Sequence, residues 1–557
     1  MNRWIIVFLL FVGAVVLPAE DLNFEQASRI IIQSGGRKKP LDTFAAESIQ
    51  LIAGKRTLKD PQTGGSIDPM DAFFSMWLGA RDWKNIPIVL VSEALLKERL
   101  GLKATERFFS FAALMDNPEL AALYKTIQAK HGRNEELMPI EKSAENVLMR
   151  MELLNGIFSG DAIAIIPNPE NAKGMWYILP RATNVYGPLK AESLSNAFKK
   201  AADAYLARDA QAFSAGTAEL RTLLEQLAPA NYPKAGQIER EIHYNHLHPF
   251  RWAWVLYLVS FFTLLLGARN RLGAGFFTAG LGLHAYGIVL RCLIAGRPPV
   301  TNMYESVIWV AFGVAAFALI FSVIYRARVY LLAAAPVAVL CLVLADSLPS
   351  VLNPNIGPLP PVLRDNFWLV THVMTITLGY AAFAMAWGLA HYILGRYLFK
   401  PASIDENSHI HYLLNRVLQV GILLLGAGTI LGGVWANYSW GRFWGWDPKE
   451  TWALIALLLY IFAMHGRLAN WWGNFGMGVA AAVCFNGVLM AWYGVNFVLG
   501  KGLHSYGFGG GGAGWVGALV ALDLVFVGFC VASRLRQIRH GLADAPAKTA
   551  ALGEAKS

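Results

Sequence analysis

The chain has 557 residues, 55% of them hydrophobic and 15% charged, with a mean hydropathy of +0.40. That balance excludes an ordinary soluble globular protein and points to the bilayer. The net charge of +10 would suit a nucleic-acid binder, but the basic residues lie where membrane topology needs them, which removes nucleic acid as a partner.

Residues 1–19 read as an export signal or N-terminal anchor. Asn2-Arg3-Trp4 precedes an apolar run from Ile5 to Val16, and Pro18-Ala19 stands before Glu20-Asp21. Leu17 is poor at the −3 position for cleavage after Ala19, so an uncleaved anchor stays open. Either way, the next segment is expected outside the cytoplasm. Residues 20–250 carry frequent charges and no run long enough to span, which predicts a soluble, α-rich extracytoplasmic domain. Apolar recurrence at three and four predicts helix over Met138–Gly160 and Ala191–Leu227, while Ala162–Pro167 and Met175–Pro180 read as short strands. Gly35-Gly36-Arg37-Lys38-Lys39-Pro40 resembles a phosphate loop but lacks its spacing.

After Pro249 come nine apolar segments, at about 252–268, 273–293, 305–325, 329–346, 367–394, 414–434, 450–468, 474–498 and 514–533. The fold class is therefore mainly α: a polytopic helical membrane protein with about eight or nine transmembrane helices over 251–534. With the soluble domain outside, the inner loops hold Arg269, Arg271, Arg326, Arg328, Arg396, Lys400, Arg416, Arg467, Arg534, Arg536 and Arg539. The outer loops hold only Arg297, Arg364, Arg442, Lys449 and Lys501. This bias agrees with the export signal and places the tail, 535–557, in the cytoplasm. Cys292, Cys341, Cys484 and Cys530 lie in or at the end of apolar runs and form no C-x-x-C pair, so they read as small hydrophobes.

Residues 435–452 concentrate Trp435, Trp440, Trp444, Trp446 and Trp452, with Gly441, Gly445 and Asp447-Pro448 as helix breakers. An interfacial belt needs only one or two such residues per helix end. Five in one connection suggest a platform for a large flat apolar ligand. His372, one turn into the fifth span, and His504, in the glycine-rich segment after the eighth, reach the same outer surface. Two imidazoles flanking an aromatic wall suit bis-histidine haem. The Gly509–Gly512 run gives that segment freedom to move. His465 marks the inner end of the seventh span and is placed to meet haem on entry; His284, His391 or a partner chain stay open as its second ligand. No other metal site is expected.

Trp440-Gly441-Arg442-Phe443-Trp444-Gly445-Trp446-Asp447-Pro448-Lys449-Glu450-Thr451-Trp452 closely resembles the WWD motif of haem-handling membrane proteins. Arg297-Pro298-Pro299-Val300-Thr301-Asn302-Met303-Tyr304-Glu305-Ser306 and the segment 502–508 resemble the CcsA/ResC proteins of System II cytochrome c biogenesis. The likeness covers roughly 252–533. The region 36–41 is similar to part of the extracytoplasmic domain of fused CcsB–CcsA synthases. The resemblance implies His372 and His504 as outer haem ligands, His465 as an inner ligand, and a platform of Trp435, Trp440, Trp444, Trp446, Asp447 and Trp452. Arg297, Arg442 and Lys449 are candidate partners for the haem propionates. It also implies a bacterial cytoplasmic-membrane protein that carries haem b outward as substrate. There haem would be joined to the C-x-x-C-H thiols of apocytochrome c, making the chain part of a cytochrome c haem lyase. No ResB-like membrane region stands out, so a ResB/CcsB-like partner is implied, with thiol-reducing proteins to keep the apocytochrome reduced. The rival reading is a haem- or quinone-binding subunit of a respiratory complex, which gives the Trp-rich stretch no role.

Overall fold

A computed structural model describes residues 22–60, 63–267, 270–349, 351–359, 365–399, 409–499 and 512–540. The export signal expected at 1–19, the tail beyond 540, and His504 lie outside the described residues. The chain divides into two compact units, Met1–Ile242 and His243–Ser557.

The first unit is helical, with three two-stranded antiparallel ladders. Ile31–Ser34 pairs with Arg37–Pro40 through Gly35 and Gly36, at φ 58° and 74°. Glycine adopts that left-handed geometry without a Cβ clash, so the segment that mimics a phosphate loop is a hairpin turn. The strands expected at 162–167 and 175–180 are reduced to one bridge, Ile166 to Tyr177. Pro167 has no N–H to give a ladder, and Asn168 Oδ1 draws the backbone N–H groups of Glu170 and Asn171 into a turn.

Pro139–Ser159 matches the expected helix and ends on Gly160 at φ 81°. The long helix expected over 191–227 is instead two, Pro188–Leu206 and Ala210–Leu227. Arg208 turns the chain at φ 57°, and Asp209 caps the second helix through the Ala212 N–H at 2.9 Å. Gly216 permits close packing of the pair, since a Cβ there would lie 3.0 Å from the Ala201 backbone. Arg37 forks onto Glu241 at 2.7 and 2.8 Å, and the Thr43 hydroxyl donates to the same carboxylate at 2.8 Å. These bonds tie the hairpin to the helix Ala235–Leu247.

The second unit opens with Pro249–Leu265, whose 17 residues rise about 25 Å. After it, eight helices among the described residues are long and apolar enough to cross a membrane. Counting Pro249–Leu265 as the first, the second to fifth are Asn270–Ala295, Met303–Ile324, Val329–Ser347 and Val370–Phe399. The sixth to ninth are His409–Trp440, Pro448–Leu468, Asn474–Leu499 and Ala513–Arg539. The fifth is the most buried of the eight and the ninth the least. Small residues let the fifth and sixth approach closely: a Cβ on Gly379 would lie 2.8 Å from Leu425 N, and one on Gly428 2.8 Å from Ile376 Cα. Phe383 stacks on Tyr460 of the seventh helix at 3.7 Å between ring centres.

Two polar clusters, one buried and one half-buried, punctuate this apolar packing. Glu305, fully buried, takes Arg291 Nε at 2.9 Å, Arg297 Nη1 at 3.1 Å and the Thr301 N–H at 2.9 Å. In the ninth helix, Asp523 meets His391 Nε2 at 2.7 Å and Trp387 Nε1 at 3.1 Å. Charged groups at these depths are costly unless paired in this way.

Candidate functional site

The sixth helix does not stop where the tryptophans begin. It runs to Trp440, so Trp435 and Trp440 are helical and only 441–447 form the connection. Gly441 at φ 70° ends the helix, and Asp447 starts the next by accepting the Lys449 N–H at 2.9 Å. Glu450 completes a capping box with the Asp447 N–H at 3.2 Å and also accepts the Gly445 N–H at 2.8 Å. A Cβ on Gly445 would fall 1.6 Å from Arg442 Nη1, so a side chain there would displace the guanidinium from its present place.

Beside the connection opens a cavity with about 1130 Å³ of space between atoms, its mouth included. Water centres fit in about 160 Å³ of it, far more than one trapped water needs. Val300–Met303 and Ser306 form one wall, His372, Val373, Ile376 and Tyr380 a second. Gly432, Gly433, Trp435, Trp444, Lys449 and Glu450 form a third, and Trp492, Asn496 and Phe497 close the ring. Two π-helical segments feed these walls: Leu369–Val373 carries His372, and Met490–Leu499 carries Trp492 and Asn496. Such turns recur where function outweighs regular bonding.

His372 Nδ1 lies 2.8 Å from the Gly428 carbonyl, to which it donates. That bond selects the tautomer with the lone pair on Nε2, the form in which an imidazole binds a metal. The ring sits 5.6 Å from that of Trp435, and a Cβ on Gly432 would lie 2.6 Å from His372 Cε1. Trp492 Nε1 donates to Ser306 Oγ at 3.0 Å and joins the third and eighth helices across the cavity. An imidazole in a recess walled by three indoles and a phenol is suited to a planar, apolar metal complex.

Of the tryptophans expected as a platform, Trp435 and Trp444 reach the cavity. Trp440 lies under the Arg442 guanidinium, Trp446 is 70% exposed at φ 57°, and Trp452 packs on the helical core. Asp447 is buried as the helix cap. Among the expected cations, Lys449 lines the cavity. Arg297 is bound to Glu305, Thr301 and the Gly357 carbonyl, and Arg442 pairs with Glu450 at 3.3 Å. Neither arginine is among the lining residues.

His465 lies 16 residues along the seventh helix from Lys449, a rise of about 24 Å, and so at the opposite end of the bundle. It is exposed, with Nδ1 2.9 Å from the Ile461 carbonyl. His284 has both nitrogens engaged, by Ile308 O at 3.0 Å and Tyr257 Oη at 3.4 Å. His391 likewise meets Trp387 O and Asp523. Both have their ring nitrogens engaged, His284 fully buried and His391 half-buried. Sequence reasoning misses His411, buried near Tyr397, whose Nδ1 has no hydrogen-bond partner; the His409-Ile410-His411 pair is its only signal. It also misses Tyr380 and Trp492, which look like ordinary apolar span residues.

Helical spans around an aromatic, histidine-bearing cavity near one end of the bundle define a multi-pass membrane protein. Residues 300–504, which include every lining residue, match the family profile of cytochrome c assembly proteins. The chain belongs to this family, as a CcsA-like cytochrome c biogenesis protein. It is 34% identical over 253 residues to the cytochrome c biogenesis protein CcsA of Prochlorococcus marinus (strain MIT 9301), covering 40% of this chain and 80% of that protein. The CcsA of Synechococcus sp. (strain CC9902) is 34% identical over 251 residues, 40% of this chain and 82% of the relative. Protein NrfI of Wolinella succinogenes is 30% identical over 519 residues, 88% of this chain. The chain spans 55% of NrfI's length. A match over 88% of the chain exceeds what the second unit alone provides, so the likeness to NrfI extends into the first unit.

Proposed function

We propose that this chain carries haem b across the bacterial cytoplasmic membrane and presents it, at the cavity beside the Trp-rich connection, for attachment to apocytochrome c. The observation that carries this reading is His372, its lone pair fixed on Nε2 by the Gly428 carbonyl, in a recess walled by Trp435, Trp444 and Trp492. These residues fit a porphyrin: the indoles take its faces and the imidazole takes one axial position of the iron. His504, which lies outside the described residues, would supply a second ligand to the iron. Haem arrives from the cytoplasmic end, past His465.

Orientation follows the basic residues. Arg326, Arg328, Arg396, Arg416, Arg467 and Arg534 stand at helix ends away from the cavity, a bias that supports an outward-facing cavity. There each thiol of a C-x-x-C-H apocytochrome would add across a haem vinyl group: the S–H and vinyl π bonds break, sulfur bonds the ring-proximal vinyl carbon and the proton ends on the terminal carbon. The chain's part is positioning and holding the substrate; the addition is haem and thiol chemistry. A ResB-like membrane protein works with this chain, and thiol-reducing proteins keep the acceptor reduced.

The test is the haem absorbance of the full chain purified with a ResB-like partner, together with cytochrome c yield in cells. His372→Ala is expected to abolish the outer-site absorbance and to lower the yield by at least about tenfold. Unchanged spectra and yield would remove the reading.

A further inference from the structure

We propose that Lys449, with the indole N–H of Trp444, forms a carboxylate subsite of the cavity and receives a haem propionate while His372 addresses the iron. This deepens the haem reading above and rests on it. Three cations are the candidates for the propionates, and the structure separates them. Arg297 is occupied by Glu305 at 3.1 Å and the Gly357 carbonyl at 2.9 Å, and Arg442 by Glu450 and the face of Trp440. Lys449 is the remaining one. It is half-buried on the cavity wall, and its ammonium pairs with no carboxylate among the described residues. Asp447, beside it in sequence, accepts its backbone N–H.

Trp444 Nε1 is a second donor at the same wall, buried and without a hydrogen-bond partner among the described residues. Asp447 attracts the ammonium from a distance but forms no close ion pair with it, and an ammonium without a direct acceptor beside an unmatched N–H in one apolar recess is costly unless an acceptor arrives. Glu450, the carboxylate among the lining residues, does not serve. It already holds Arg442 and the N–H groups of Gly445 and Asp447, so its charge is met and it does not repel an incoming anion. The two donors stand five residues apart, Trp444 on the connection and Lys449 in the first turn of the helix that the capping box starts. They call for an anionic acceptor, and a propionate at the rim of a flat apolar ring has that form.

The experiment titrates the purified full chain, alone and with its partner, with haem and with haem dimethyl ester, whose propionates carry no charge. The unaltered chain is expected to prefer haem by about tenfold or more. Lys449→Met should weaken haem to the level of the ester and leave the ester unchanged. Lys449→Arg should keep the preference, which separates loss of charge from misfolding. Trp444→Phe should narrow it. Equal binding of acid and ester by the unaltered chain, or a full preference in Lys449→Met, would overturn the subsite while His372→Ala still abolished the absorbance. If His372→Ala changed nothing, the haem reading itself would fall, and the subsite with it.

Discussion

The imidazole of His372 is placed by two glycines as much as by its own helix. Gly428 offers the carbonyl that fixes its tautomer, and Gly432 leaves the gap in which the ring lies. Gly432→Ala would put a Cβ 2.6 Å from His372 Cε1, closer than carbon atoms approach. The ring must then turn out of the recess, so outer-site haem absorbance should fall sharply while the protein stays folded. Spectra and thermal unfolding of the same preparation check both halves. The sequence points to His372 because an imidazole one turn into a span beside five tryptophans is unusual. It cannot say which indoles face the ligand, because Trp440, Trp446 and Trp452 have the same composition signal as Trp435 and Trp444. Their directions depend on where the sixth helix ends and on the positive φ at Trp446. Arg297 is equally illegible as a structural residue: its partner Glu305 is eight positions away, across a turn that hydropathy does not resolve.

Among elements, the fifth and sixth helices decide the shape of the site. Their backbones meet at Gly379 and Gly428, bringing His372 against the sixth helix one turn before Trp435. Gly428→Leu would force the pair apart. Overpacking of this kind typically costs about 1–3 kcal/mol, and the haem site should fail with the lowered unfolding temperature in detergent. Helix existence is plain from sequence: all nine apolar segments are helices, and Pro139–Ser159 agrees with its expected bounds to within a residue or two. Ends and breaks are less plain. The sixth helix extends to Trp440 because the hydropathy of its last turn drops before its backbone bonding does. The helix expected over 191–227 is two because both arms share one apolar period and Arg208 carries no turn signal. The π-helical stretches have no signal at all, since an extra residue per turn leaves the apolar run intact.

At the scale of the whole molecule, outward haem transit requires the cavity and His465 to face opposite sides of the membrane. Trp446, 70% exposed on the connection, and Asn470, past the end of the seventh helix, mark the two ends. With Cys484 and Cys530 buried and Cys292 and Cys341 half-buried, the native thiols give little background. Trp446→Cys should react in intact cells with a membrane-impermeant maleimide, and Asn470→Cys only after lysis. The reverse pattern would invert the orientation. Fold class is legible because nine apolar runs admit few alternatives in lipid. The packing of the first unit is not, since its three small ladders leave little trace in residue type.

The π-helical turn under His372 has a consequence for how this chain tolerates change. It holds one residue more than an α turn, so everything on its far side is offset by about 100° from a plain helix. Losing a single position between Leu369 and Val373 would relax the turn to ordinary geometry and swing the imidazole away from Gly428. The same loss ahead of Asn366 would leave the ring's bearing alone. One surplus amino acid thus serves as the angular setting of the ligand, and small deletions around this helix divide by location into those that change its aim and those that do not.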